Sequence, residues 1–556
     1  MLEKLGNFIT RNRWWVIAVW IVAAIVITAF SPKLSSVTSS DQTSFLPSKY
    51  ESVQAQKIGE KAFPESKDDV EILLVQRQDG GKLTPDDQSN IQTLATKLQD
   101  AKIYKVVAVQ TSAQNVSKSG TAQLVQIVVN GQPTGGTADV TLTKAIRAQV
   151  KTEVAGTGLK TGLTGAIAED ADSSSTFTTA TKIVTLATLA LVVILPGLIF
   201  RSPLAAFAPV IVVGLVYALA QSLIALAAHM FNFKISDQLS ILYTVVLFGI
   251  GTDYILFLLF RYREKLRTGD RGREVVAFAL SRAGEAILSA ALVVAAAFAA
   301  LGFSDFGIFK NLAPGLVICV LTMLIAVLTL VPAVISIIGP KIFWPSKAWQ
   351  KPPKGTVSKR VGGLVGRRPG IVATGSLIIL LALAFGYTQL KTSYDFTSQQ
   401  PQQTESAKAY NTVAKLFSAG AISPTDIFVQ SNKPLIDTQI SAFLTEIEGI
   451  PKVSGGAPIQ YAKDHKTAQV TVLLSGNPDA TPTLNFVQKT FRPAVHADAP
   501  ASTKVYISGE SAAFVDVRSA VNRDLAVILP AAAIIIFIIL ALLLRSVLAP
   551  LYLLMA

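Results

Sequence analysis

The sequence predicts an α-helical polytopic membrane protein with two α+β, ferredoxin-like domains outside the bilayer, the whole built by internal duplication. Three observations carry this fold class. Hydrophobic residues make up 51% of the 556-residue chain and charged residues 15%, with a mean hydropathy of +0.47, a balance unlike that of an average soluble domain. Eight apolar runs are each long enough to cross a hydrocarbon core of about 30 Å. Two long hydrophilic segments between them repeat one order of elements.

The spans follow from the apolar runs at 14–30, 184–200, 204–228, 239–260, 286–302, 312–338, 371–390 and 525–544, and a ninth run starts at 547 and is cut at 556. Basic residues set the orientation, because Lys and Arg are held on the cytoplasmic side during insertion. Lys4, Arg11 and Arg13 precede the first span, seven Lys or Arg lie between Arg261 and Arg282, and Lys341, Lys347, Lys351, Lys354, Lys359, Arg360, Arg367 and Arg368 follow the sixth with no acid among them. A multi-pass protein of the cell membrane with a cytoplasmic N-terminus is expected. Its divisions are 1–30 (N-terminus and first span), 31–182 (first outer domain), 183–340 (spans two to six), 341–369 (basic linker), 370–390 (seventh span), 391–523 (second outer domain) and 524–556 (eighth span and start of a ninth). The net charge of +14 is then a topology signal. Its partners are anionic membrane lipids rather than nucleic acid. The first run is long and "ITAFSPK" offers no small-x-small cleavage site, so it is read as an uncleaved span. The one cysteine, Cys319, lies in the sixth span, so the outer domains must fold on their own cores without disulfides.

In the first outer segment, strand patterns at 68–76, 104–111, 121–131 and 159–165 alternate with helical patterns at 87–100 and 138–154; the second gives strands at 424–430, 452–458, 467–476 and 503–510 with helices at 437–449 and 481–491. Both read βαββαβ, the ferredoxin-like split βαβ order. Single residues match as well: Glu51-Ser52 with Glu405-Ser406, Thr121-Ala122-Gln123 with Thr467-Ala468-Gln469, and Gly165, Asp172 and Arg201-Ser202 with Gly509, Asp516 and Arg545-Ser546. The chain is therefore read as two halves of one unit, each a span, an outer domain and further spans. Gly165 and Gly509 are expected at equivalent places, where the last strand ends and the chain returns to the membrane.

Residues 249–257, "GIGTDYILF", put an aspartate inside the fourth span, and Asp253 is the only Asp, Glu, Lys, Arg or His in the eight apolar cores. A carboxylate so placed costs about 2.5–3.5 kcal/mol on insertion scales and marks a proton or ion route by default. Its side chain is expected to face other spans. The competing explanation is a permanently protonated structural aspartate held by Thr252, Tyr254 or the fifth span. Gly249 and Gly251 allow close helix approach and have a pure packing explanation; Ser289 on the fifth span is a candidate to extend a hydrogen-bonded path. His229, His465 and His496 lack metal-ligand spacing, and there is no phosphate-cradling Gly-x-x-x-x-Gly-Lys-Ser/Thr motif. Neither a metal, a cofactor nor enzymatic chemistry is expected. An intramembrane aspartyl protease would need a second intramembrane aspartate.

One span, an outer domain and five spans, duplicated, together with "GIGTDYILFLLFRYRE" on the fourth span, resembles the resistance-nodulation-division (RND) superfamily and, more narrowly, its MmpL-like (mycobacterial membrane protein large) transporters. The resemblance covers essentially the whole chain and implies outer domains of the porter type; they are too short to include a docking domain for an outer-membrane channel. It also implies a secondary active transporter that exports lipidic or amphiphilic substrates across the cytoplasmic membrane on the proton-motive force. Asp253 and Tyr254 would form the proton relay, with Gly249, Gly251, Thr252 and Ser289 in support. The family shares its relay with a second Asp-Tyr pair in the other half. The corresponding place, 344 residues on, falls beyond residue 556, so either a fragment or a C-terminally truncated, inactive product is expected. A non-transporting sensor or scaffold of the same fold is the alternative function, and a homo-oligomer stays open.

Overall fold

The computed structural model describes residues 2–39, 45–64, 68–112, 115–131, 137–236, 239–270, 272–346, 350, 356–388, 403–417, 423–478 and 480–555. Residues 347–349 and 351–355 of the basic linker and the last two residues of the expected seventh span lie outside these. Eight described helices are long and apolar enough to cross a membrane, at the places the apolar runs indicate. The chain is a multi-pass membrane protein.

It opens with a short amphipathic helix, α1 (Leu2–Arg11), whose Gly6, Ile9 and Thr10 are buried, and continues into the first span, α2 (Arg13–Phe30). After a two-residue strand, β1 (Thr38–Ser39), helix α3 (Glu51–Ala62) precedes the first sheet. Here follow β2 (Asp69–Arg77), α4 (Pro85–Asp100), β3 (Val106–Gln110), β4 (Ala122–Val129), α5 (Thr137–Glu153) and β5 (Leu159–Thr164), in spatial order β3-β4-β2-β5, all antiparallel. The remaining spans of the first half are α6 (Ala166–Phe200), α7 (Pro203–Met230), α8 (Ile241–Leu266), α9 (Arg273–Ala299) and α10 (Gly307–Ile338); a two-residue β6 (Ile235–Ser236) before α8 pairs with β1.

The second half repeats the plan. After α11 (Thr356–Arg367) come the seventh span α12 (Pro369–Thr388), α13 (Glu405–Leu416), β7 (Thr425–Ser431), α14 (Asp437–Glu448), β8 (Val453–Gly456), β9 (Gln460–Tyr461), β10 (Thr467–Leu474), α15 (Thr481–Phe486), α16 (Arg492–Ala497), β11 (Thr503–Ser508), α17 (Glu510–Leu544) and α18 (Leu548–Met555). Its sheet runs β11-β7-β10-β8, the first sheet's order over again, with β9 added beside β10. The helix expected at 481–491 continues to Ala497 through a π-turn at Val487–Phe491.

Two features depart from the sequence pattern. The second and eighth spans are not confined to their apolar runs: α6 and α17 are each single 35-residue helices that start directly at the last strand of an outer domain. Gly165 and Gly509 stand at the two starts with φ of 131° and 106°, a region glycine enters without the Cβ penalty. A Cβ there would also collide, at 2.6 Å from Glu71 Oε1 in the first half and 2.8 Å from the Pro424 carbonyl oxygen in the second.

The other departure is an exchange of helices between the halves. Helix α13, from the second half, covers the first sheet: Val413 packs with Ile72, Leu74, Ala122 and Leu124, and Glu405 accepts from Leu163 N at 3.1 Å. Helix α3, from the first half, lies on the second sheet, where a Cβ on Gly59 would sit 2.6 Å from the Phe428 ring. The apolar run of β2 now has its reason. Leu73 and Val75 face the core made with α4 and α5, Ile72 and Leu74 face α13, and a strand buried on both faces reads as continuous rather than alternating.

Glu71, on β2, is 1% exposed and caps α6, accepting from Ile167 N at 2.8 Å and Ala168 N at 3.0 Å. Burial, seconded by Asp69, pushes its carboxyl from 4.5 up to about 8 against the pull of the two amides and Arg147. The folded domain therefore holds a proton that the unfolded chain releases, so this contribution to stability is fully present below about 4.5 and is lost as the pH rises through about 8. Glu71→Gln should flatten the fall of the melting temperature across that window. An unchanged slope in pH-resolved thermal melts would contradict this.

Candidate functional site

Helix α8 crosses the bundle with one face packed and one open. Gly251, Thr252, Tyr254, Ile255 and Leu258 are buried, and a Cβ on Gly251 would lie 2.9 Å from both Met323 Sδ and Val213 Cγ2, so this glycine lets α8 close against α7 and α10. The other face is the stripe Leu242, Val245, Gly249, Asp253, Phe257 and Phe260, all exposed. Gly249 has no neighbour within 4 Å of where its Cβ would be. The two glycines thus do different things, one packing and one leaving room a turn away from Asp253.

Adjacent residues on a helix point about 100° apart, so Asp253 and Tyr254 do not share a face. Asp253 is on the open stripe and has no hydrogen-bond or ion-pair partner among the described residues, so the expectation that it faces another span is not met by any described helix. Tyr254 and Thr252 point into the bundle, 6% and 5% exposed, and neither hydroxyl has a hydrogen-bond partner among the described residues. Ser289 donates to the Glu285 carbonyl of its own helix at 2.8 Å, and no hydrogen bond joins it to Asp253. A closed network of Asp253 with Thr252, Tyr254 or the fifth span is therefore not what these side chains form. Three neighbouring polar groups on a membrane-spanning helix are left with unused hydrogen-bonding capacity among the described residues, which costs stability.

In the two α+β domains, four-residue clamps fasten the exchanged helices. Arg147 holds Asp172 bidentately at 2.7 and 2.8 Å and reaches Glu405 at 3.0 Å, while Asp172 also accepts from Ser406 N at 3.1 Å. In the other domain Arg492 binds Asp516 at 2.8 and 3.3 Å and Glu51 at 3.0 Å, and Asp516 accepts from Ser52 N at 2.9 Å. Glu51 further accepts from Ile507 N at 3.0 Å, with His496 Nε2 also 3.0 Å away. Sequence reasoning paired Glu51 with Glu405 and Asp172 with Asp516 as repeats but missed the two arginines that join them. The spacing from Arg147 to Arg492 is one residue longer than that from Asp172 to Asp516, and that near-match was the available signal.

A third anchor ties α17 to the turn before α10. Asp524, 1% exposed, accepts from Asp305 N and Phe306 N, each at 2.8 Å, from Ser304 Oγ and from Arg523 at 3.0 Å.

Comparison with known proteins gives this geometry its family. The chain is 28% identical over 597 aligned positions to the apo-petrobactin exporter of Bacillus anthracis, covering 99% of this chain and 79% of that protein. It is 30% identical to a membrane protein of Streptomyces coelicolor, ActII-3, covering 98% and 74%, and 29% identical to a protein of Mycobacterium tuberculosis named "Probable transport protein MmpL12", covering 78% of this chain but only 38% of the relative. The MMPL family model matches residues 44–372 and 398–556, so that both four-stranded sheet paths and the Asp253 helix fall inside it. The chain belongs to the MMPL family.

Proposed function

We propose that this chain works in export across the cell membrane as a secondary active transporter, moving a lipidic or amphiphilic substrate at the expense of the proton gradient, with Asp253 and Tyr254 as the relay. The observation that carries the proposal is the unpaired carboxylate on the open stripe of α8 beside two buried, unpaired hydroxyls. A carboxylate facing hydrocarbon is expensive, so the stripe meets a polar partner or a water path in the membrane, where protons can reach it. Relatives named as exporter and transport protein support the transport half of the proposal. The basic residues at Lys4, Arg11, Arg13 and along 261–282 support a cytoplasmic N-terminus.

Cells producing the natural protein should extrude a fluorescent amphiphile, and a protonophore that collapses the gradient should stop extrusion while ATP is held constant. Extrusion that persists without the gradient would refute proton drive. No extrusion of any amphiphile would favour the sensor or scaffold alternative.

A further inference from the structure

One cavity has no place in the transport scheme. It has a volume of about 620 Å³ and lies between α1, the first span α2, and the spans α7 and α10, within the roughly 300–1,000 Å³ usual for small-molecule sites. Along α2 its wall is one helical face, Asn12, Trp15, Val16, Val19, Trp20 and Ala23, and everything else lining it is apolar except Thr329. The Thr329 hydroxyl is already engaged, accepting from Trp20 Nε1 at 3.0 Å and donating to the Ile325 carbonyl. Phe8, Trp15 and Val19 on its rim are 61%, 75% and 62% exposed, so it opens sideways to the membrane.

We infer that this cavity binds one acyl chain of an anionic phospholipid from the surrounding leaflet, with the headgroup held at Arg11 and Arg13. Length agrees: from Asn12 to Ala23 the helix rises about 16 Å at 1.5 Å per residue, close to half of a hydrocarbon core of about 30 Å. Depth agrees too. Trp14 and Trp15, both largely exposed, are the residue type that settles at the headgroup level, and they stand at the Asn12 end. Charge completes the match, since Asn12 lies between Arg11 and Arg13, Lys4 is one helix earlier, and Arg13 is fixed there by donating to the Ser336 carbonyl at 2.9 Å. A bound lipid would wedge the first span against α10 without being cargo.

The test uses the full chain in nanodiscs with phosphatidylglycerol carrying brominated acyl chains as quencher, the Trp20 signal being the difference between the natural chain and Trp20→Phe. Quenching should saturate at a small mole fraction of this lipid, and brominated phosphatidylcholine should need much more. Arg11→Gln and Arg13→Gln should each raise the half-saturating fraction about fivefold, the step expected for a basic residue at a membrane surface. Ala23→Phe, or Leu219→Phe from the opposite wall if the first disturbs folding, should abolish saturation while the particle stays monodisperse. Quenching that rises linearly with brominated lipid, or that saturates alike for both headgroups, would overturn the assignment.

Discussion

Asp253→Asn should abolish proton-driven export while leaving insertion and folding unchanged, a loss on the order of a hundredfold or more, as for other steps that depend on a positioned proton-transfer group. The amide matches the carboxyl in shape and removes only its titration. Among the described residues there is no hydrogen bond to Asp253 that the change could break, so membrane yield and thermal stability should stay at or slightly above those of the natural protein. Asp253→Glu should retain part of the activity, and Tyr254→Phe, which keeps the packing of a 6%-exposed ring, should lose less than Asp253→Asn. Export by Asp253→Asn at the natural rate would remove the relay from this helix. A collapse of its membrane yield would make the aspartate structural.

Arg492→Ala should be the most damaging single change in the outer domains. It strips Asp516, 3% exposed, and Glu51 of their shared cation at once, leaving Asp516 the Ser52 amide and Glu51 the Ile507 amide and His496, and breaking a buried pair by removing one partner costs about 3–5 kcal/mol. Arg147→Ala does the same to Asp172 and Glu405 in a somewhat more open setting, with side-chain exposures of 23% for the arginine and 43% for Glu405 against 16% for Arg492 and 19% for Glu51, and should cost less. Denaturant unfolding of the purified protein gives the ranking. Equal, negligible costs would mean that the clamps are ornamental and that the apolar faces of α3 and α13 suffice. Lysine at either position should rescue little, since it cannot hold two oxygens of one carboxylate in a fork.

Much of this fold was legible in the sequence because the determining patterns are local. Apolar runs gave the eight spans, and period-two and helical patterns gave both sheets in order. The exchanged helices were not legible as elements. Their buried faces consist of small residues, Ser52, Ala55 and Gly59 in α3 and Ser406, Ala407 and Ala409 in α13 alongside Tyr410 and Val413, which produce weak hydropathy periodicity, and their partners lie hundreds of residues away. The candidate site divides in the same manner. That Asp253 is exceptional could be read from composition, but a span that is apolar all round says nothing about which face is packed. Only the structure separates Gly251, wedged against Met323, from Gly249 on the open stripe. The leading helix α1 read as a basic prelude to a span; its burial depends on Gly6, where a Cβ would come within 2.8 Å of Ala277 Cα.

The exchange of α3 and α13 also has a consequence for biosynthesis. Glu405 reaches Leu163 across 242 residues of chain, and at about 5–20 residues per second a ribosome needs roughly 10–50 s to cover that distance. For that interval the first sheet is finished along its strands yet bare on the side that Val413 will cover, with Ile72, Leu74 and Leu124 open to whatever is nearby. The first half must therefore be kept soluble or shielded until its missing helix emerges, and the two halves made as separate polypeptides should mature only when produced together.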